Sequence, residues 1–200
     1  DKIIDKISGE HFKNYNVNKV VRNNFGAKIY YGGKNEFFDY DKVVIATHAD
    51  QALDIIDNPT SDEEEILKNF KYRDNLAVIH FDQSIMPKNK KAWCSWNSSM
   101  SKDNIKKTSV TYWLNQLQNL KINRDIFLTI NPFREIPEDK IFKKVKFTHP
   151  YYDNAALSNQ NNLNKIQNKK NILFCGSYFG YGFHEDGIKS SIEMLKTLND

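Results

Sequence analysis

Two short runs of unbroken apolar residues constrain this chain more than any other feature. Val43-Val44-Ile45-Ala46 and Ile172-Leu173-Phe174-Cys175 contain no polar residue. A strand with one wet face alternates, so runs like these predict strands buried on both faces in the sheet of a layered α/β fold. The second run ends at Gly176 and enters a loop punctuated by Gly180 and Gly182 before a closing helix. In that helix Ile188, Ile192, Leu195 and Leu198 recur at helical spacing and predict a face packed on the sheet.

Around this frame the chain divides into three zones. Strands are expected at 17–22, 27–31 and 37–47, joined by the hairpin-like connections Asn23-Asn24-Phe25-Gly26 and Gly32-Gly33-Lys34-Asn35 into a meander whose last strand enters the core sheet. An amphipathic helix is expected at the start, on Ile3, Ile4 and Ile7, and another with Ala49, Ala52, Leu53 and Ile56 on one face. A further helix opens at Ser61-Asp62-Glu63-Glu64, with Ser61 as cap and Glu64 reaching back; its acids suit the positive end of the helix dipole rather than a metal. Four strands at 76–82, 92–97, 108–114 and 126–131 predict an antiparallel second lobe. The third zone holds a polar helix at 159–167, the buried strand at 171–175, and the loop and helix already described.

Composition excludes several classes. With 40% hydrophobic and 13% aromatic residues the chain can bury a core. The net charge of +4 arises from 29 basic against 25 acidic residues, and lysine groups such as Lys143, Lys144 and Lys146 read as solvated faces, so no nucleic-acid partner is expected. Cys94 and Cys175 make neither a disulfide framework nor a zinc site, and no metal is expected. No run is long enough for an integral membrane segment, and the opening Asp1-Lys2-Ile3-Ile4 has no signal-peptide layout, so a soluble, cytoplasmic protein is the expectation. Without an initiating Met, the chain reads as a piece of a longer protein.

Chemistry concentrates between Phe174 and Ile188. A buried strand ending in glycine allows close approach of a ligand or a second backbone. The helix beginning near Asp186-Gly187 presents free N–H groups that favour an electron-rich partner. Tyr178, Phe179, Tyr181 and Phe183 would wall an aromatic ligand. A tight strand-to-helix turn with Asp186 as a plain cap accounts for the same residues equally well.

The stretch Gly176-Ser177-Tyr178 through Gly180-Tyr181-Gly182-Phe183-His184-Glu185-Asp186-Gly187 resembles the last FAD-binding segment of the flavin-containing amine oxidase superfamily, and more closely a bacterial subgroup of NAD/FAD-binding oxidoreductases. Val43 to Leu53, Met86-Pro87, Ala92-Trp93, Ser95-Trp96-Asn97, Thr111 to Asn115, Asn131-Pro132, His149-Pro150 and Gln160 agree with that subgroup. The resemblance runs from about Val17 to the end. It implies a mixed α/β (α+β) chain: a partial Rossmann-like FAD-binding lobe at 1–49 and 168–200, and an antiparallel-sheet substrate lobe at 50–167. It further implies FAD as cofactor, a small-molecule substrate of amine or fatty acyl type, and hydride transfer from a substrate carbon to the flavin.

Under the same resemblance Val17 lies near the adenine. Ala46 and Thr47 lie beside the cofactor, together with Gly176, Ser177, Glu185, Asp186, Gly187 and Ile188. His184 falls where an aromatic often stands beside the flavin ring and is the candidate catalytic residue. His48 is a further candidate for FAD contact, and His80 for a face lining the substrate cavity; Trp93, Trp96, Tyr112 and Trp113 suit a packed sheet core or a substrate cage. Two departures matter: Ser177 stands where many members carry an acid, and no G-x-G-x-x-G for the pyrophosphate occurs in these residues. A non-catalytic flavin-fold binding or partner module is therefore the alternative.

Overall fold

The computed structural model describes residue 2 and residues 4–33, 36–102 and 107–198. The ends of two expected features, Asp1 and Ile3 at the start and Lys34-Asn35 in the second connection, lie outside the described residues. The strands are β1 (Val17–Arg22), β2 (Ala27–Tyr31), β3 (Phe37–Tyr40), β4 (Val43–Ile45), β5 (Lys71–His80), β6 (Trp96–Met100), β7 (Thr108–Trp113), β8 (Phe127–Ile130), β9 (Ile141–Tyr151) and β10 (Ile172–Phe174). The helices are α1 (Ala49–Ile55), α2 (Ser61–Leu67), α3 (Leu114–Leu117), α4 (Asn154–Asn159) and α5 (His184–Lys196). This is a mixed α/β chain with antiparallel sheets, and it forms two compact units: residues 1–71 with 150–200, and residues 72–149. Relative to the lobe limits read from the sequence, α1, α2 and residues 150–167 belong to the first unit.

In the first unit β1, β2 and β3 form the expected antiparallel meander, with Val20 opposite Ile29 and Ala27 opposite Tyr40. Asn23 shapes the first turn, its Oδ1 accepting the Phe25 and Gly26 amides at 2.8 and 2.7 Å. The single strand expected at 37–47 is instead two strands in two sheets, because Asp41-Lys42 breaks the ladder. β4 pairs in parallel with β10, Val43 opposite Ile172 and Ile45 opposite Phe174. β10 is buried throughout, whereas in β4 Val44 is 43% exposed between buried Val43 and Ile45. Burial on both faces therefore holds for β10 and fails for β4.

Helix starts and faces also depart from expectation. The residues at Ile4–Lys6 form a single 3-10 turn that buries nothing, not an amphipathic helix. α2 is capped one residue earlier than Ser61: Thr60 Oγ1 accepts the Glu63 amide at 3.2 Å and the Glu63 carboxylate accepts the Thr60 amide at 2.8 Å. Register decides this, since Glu63, not Glu64, turns inward, where it is fully buried and paired with Arg22. The polar helix expected at 159–167 is α4 followed by a 3-10 segment, Gln160–Ile166, that buries Leu163 and Ile166. In α5 the expected packing face is reversed: Ile188, Ile192 and Leu195 are 56, 52 and 52% exposed, while Ser190 and Met194 are buried. Met194 joins Leu173 and Cys175 in a small core against which Leu198 packs.

The second unit carries a five-stranded sheet ordered β6-β7-β8-β5-β9. Its registers, Asn97 opposite Thr111, Thr111 opposite Thr129, Val78 opposite Thr129 and His80 opposite Phe127, put these residues on one face. This face is the buried one although it is rich in hydroxyls. Trp96, Tyr112, Leu128 and Ile130 point the other way and are only partly covered, Trp96 being 64% exposed. The strand expected at 92–97 starts later, at Trp96, after a 3-10 turn at Lys90–Ala92. β9 has no counterpart among the strands expected from the sequence, where its lysines read as solvated faces, and none of its residues is buried.

Candidate functional site

Because β4 and β10 run parallel, both leave their sheet at the same end. The Cys175 amide donates to Ile45 O at 3.2 Å, and the next residues on each side are Ala46-Thr47 and Gly176. A β carbon on Gly176 would lie 3.6 Å from Thr47 O and only 2.7 Å from the Tyr178 ring, so a side chain there would collide with its own loop. In open parallel sheets this carboxyl edge is where ligands bind.

The loop beyond Gly176 is held by specific bonds. Ser190 on α5 accepts the Gly176 amide at 2.9 Å and donates to Gly187 O at 2.7 Å, which draws the face carrying Ser190 onto the strand end and leaves Ile188 and Ile192 outside. Asp186 Oδ2 accepts two amides at once, Tyr181 at 3.0 Å and Phe183 at 2.9 Å. Gly180 faces that carboxylate so closely that a β carbon would lie 2.4 Å from it. Gln160 donates to Gly180 O, and Ser177 O accepts the amides of Gly180 and Gly182 at 3.1 Å each. The Tyr152 hydroxyl also reaches Ser177 O, at 3.4 Å; burial, then the charge of Asp186, push its pKa up to about 12.

At the tip, the amides of His184 and Glu185 open the 13-residue α5 with no acceptor among the described residues. They carry the positive end of the helix dipole. Tyr181 and Phe183 flank them, both strongly exposed. On the other side of Thr47 an open cleft of about 480 Å³ is lined by Tyr15, Val17, Thr47, Gln51 and Asp54.

The sequence-derived candidates thus fall into three groups. Val17 and Thr47 share the cleft, and Thr47 also neighbours Gly176; Ala46 is exposed beside it. Ser177, Asp186 and Gly187 belong to the tied loop, where the Ser177 amide lies 3.8 Å from the β-carbon position of Gly187. His184, Glu185 and Ile188 are on the outer turn of α5: Glu185 faces Lys189 at 4.0 Å, and His184 makes no hydrogen bond among the described residues. Ser190 lies outside the sequence-derived candidates, because it sits on the face of α5 opposite the apolar stripe of Ile188, Ile192 and Leu195.

His48 stands at the start of α1, its amide donating to Gln51 Oε1 at 3.3 Å. His80 is fully buried in the other unit. Its Nε2 lies 2.7 Å from Thr129 Oγ1, and its Nδ1 accepts the Asp82 amide at 3.1 Å, so it lines no open face. Burial lowers its pKa from 6.5 to about 4, against the opposing charge of Asp82. Trp93 and Trp113 pack edge to face at 5.3 Å, and Trp93 packs on Phe127 in the same way, as the core reading expected. Trp96 stacks on Tyr112 on the open side instead. Among the described residues no cluster of metal-ligating side chains occurs, and no helix is long and apolar enough to cross a membrane.

Neither a protein-family model nor a curated protein sequence matches the chain. Solved structures do match it in fold. A CLA-producing fatty acid isomerase from P. acnes superposes with a TM-score of 0.65 at 11% identity, over 96% of this chain and 49% of that one. A putrescine oxidase gives 0.61 at 10% over 94% and 49%, and a cyclohexylamine oxidase from Brevibacterium oxydans gives 0.56 at 9% over 93% and 49%. The chain therefore spans about half the length of these structures and shares their fold over that half.

Proposed function

We propose that this chain is the C-terminal part of an FAD-dependent oxidoreductase, in which the first unit supplies the flavin-ring end of the cofactor site and the second supplies a substrate-facing sheet. The observation that carries this reading is the convergence of the β4 and β10 ends with the open amides of α5. When bound, the flavin supplies the hydride acceptor and the redox chemistry.

The residues present fit one end of that cofactor. The amides of His184 and Glu185, with the dipole of α5 behind them, would stabilise negative charge on the pyrimidine side of the ring without any side-chain acid. Gly176 and the exposed Ala46-Thr47 segment leave room for the ring to approach the strand ends. The Val17–Thr47 cleft would take part of the adenosine half. No residue here fits the pyrophosphate, because no glycine-rich strand-to-helix turn of the required pattern occurs in the sequence. His184, exposed and with no hydrogen bond among the described residues, would meet substrate beside the ring and steer it or hold a proton.

Two features bear on the substrate. The open face of the second unit's sheet, with Trp96, Tyr112, Leu128 and Ile130, is apolar, which suits a lipid-like or other hydrophobic organic molecule. The similar structures named above as acting on fatty acids and amines are in keeping with that class.

The visible spectrum of the purified full-length protein after addition of FAD and gel filtration is the test. A retained flavin band is expected, and a protein that emerges colourless would overturn the reading. Retained flavin that no fatty acid or amine reduces would instead favour a flavin-binding module without turnover.

A further inference from the structure

Within the second unit a hydrogen-bond chain begins at the buried His80 and ends at a cavity. The Asp82 amide donates to His80 Nδ1 at 3.1 Å, so that nitrogen carries no proton, and the neutral ring holds its hydrogen on Nε2. Nε2 therefore donates to Thr129 Oγ1 at 2.7 Å, and since the fully buried Thr129 hydroxyl has no other acceptor among the described residues, the 2.8 Å contact satisfies its hydrogen when Thr129 donates to Thr111 Oγ1. In that order the Thr111 hydrogen remains for an acceptor outside this hydrogen-bond chain. Among the described residues no protein acceptor takes it.

Thr111 lines a cavity of about 140 Å³. Ile85, Met86 and Pro87 form its apolar wall, and Asn97, Ser99 and Arg134 its polar side. The Asn97 carbonyl is occupied by the Cys94 amide at 3.1 Å, and its NH2 donates to Cys94 O and to Thr111 O, so Asn97 offers the cavity little acceptor capacity. The Arg134 guanidinium carbon lies 5.8 Å from the Phe133 ring centroid, and Arg134 has no carboxylate within ion-pair distance among the described residues. The cavity thus combines a guanidinium, a hydroxyl whose hydrogen is aimed by His80, and a short apolar wall, with no lining carboxylate among the described residues.

We propose that this cavity is a binding site for a small carboxylate with a short apolar tail, held by the Arg134 guanidinium and the Thr111 hydroxyl. A carboxylate is acceptor-only and planar, which matches a forked cation and one further donor. The volume corresponds to roughly four or five waters at about 30 Å³ each, enough for a short-chain acid and too small for a nucleotide or a sugar phosphate. The assignment does not rest on the flavin reading.

Titration of the full-length protein with butyrate, followed by NMR, tests the assignment. Saturable binding is expected at concentrations of about 10 mM, in line with the roughly millimolar affinity of a single charge-assisted contact set. Arg134→Gln, at an exposed position, should weaken it at least about tenfold, and Thr111→Val should weaken it without changing the Arg134 side chain. Butyramide, with the same shape and no charge, should not compete. Octanoate in place of butyrate distinguishes a site for free short acids from one for the head of a longer acyl chain; saturation by either supports the assignment. Failure of both acids to saturate, undiminished binding by Arg134→Gln, or equal competition by butyramide or inorganic phosphate would each overturn it.

Discussion

The contact between Arg22 on β1 and Glu63 on α2 joins two elements far apart in sequence. Both side chains are removed from water, 11 and 0% exposed respectively, and Glu63 also accepts the Thr60 amide that begins α2. A charge in such a place is tolerated only while its partner stays, so removing one partner is worse than removing both. Glu63→Ala is expected to lower unfolding stability by about 3 kcal/mol, and the Arg22→Ala/Glu63→Ala pair by clearly less than the sum of the single losses. Denaturant titration of the four proteins measures this; strictly additive losses would show that the ion pair contributes nothing of its own. Sequence alone could not have found the pair. The capping signal was visible, but its register was read from Ser61, and only the inward turn of Glu63 reveals that Thr60 is the cap and Arg22 the partner.

Among the elements, the sheet of the second unit shows how a legible strand pattern can still mislead about its faces. β7 and β8 were found within a residue or two, yet alternation did not tell which side is buried, because Thr and Ser occupy the inner face and Trp, Tyr and Leu the outer. Hydroxyls can go inside when they bond to one another and to His80, as Thr111 and Thr129 do. That arrangement has a pH signature. His80 has a pKa of about 4 in the folded state, below the 6.5 of a free histidine, so the unfolded chain binds the proton more readily between those values. Stability should therefore be fully present above about pH 6.5 and fall as the pH drops toward 4. Asp82 acts in the same direction at lower pH: burial opposes its charge, but bonds from Ser84 and Lys140 outweigh that and keep its carboxyl below the usual range. His80→Gln should flatten the midpoint-versus-pH curve between pH 4 and 6.5, and an unchanged slope would locate the acid sensitivity elsewhere. β9 illustrates the opposite problem, a strand held in its sheet by backbone bonds with no buried face to betray it.

At the scale of the whole molecule the individual sheets are built to different standards. β7 is paired on both sides, whereas β4 and β10 make a parallel pair of three residues each. Short parallel pairs are weak alone, and the exposed Val44 and the outer stripe of α5 add no burial to hold them. Hydrogen exchange on these 200 residues should show the β7 and β8 amides exchanging markedly more slowly than those of β4 and β10. Equal protection would mean that the two-stranded sheet is stabilised by packing beyond what its pairing provides. The same imbalance explains why the helix face was misjudged: periodicity marks Ile188, Ile192 and Leu195 as apolar but does not say which neighbour covers them, and the neighbour that α5 does have is engaged through Ser190.

The two hydrogen bonds accepted by Asp186 set the loop before any ligand arrives. With one carboxylate oxygen anchoring the Tyr181 and Phe183 amides, and Ser190 anchoring Gly176, the backbone from the strand end to the helix has few conformations left to lose. Much of the ordering entropy that a flexible rim would surrender on binding has been met during folding. Whatever docks at the start of α5 meets a surface whose shape is already decided, so recognition there depends on fit to a fixed outline rather than on closure around the guest.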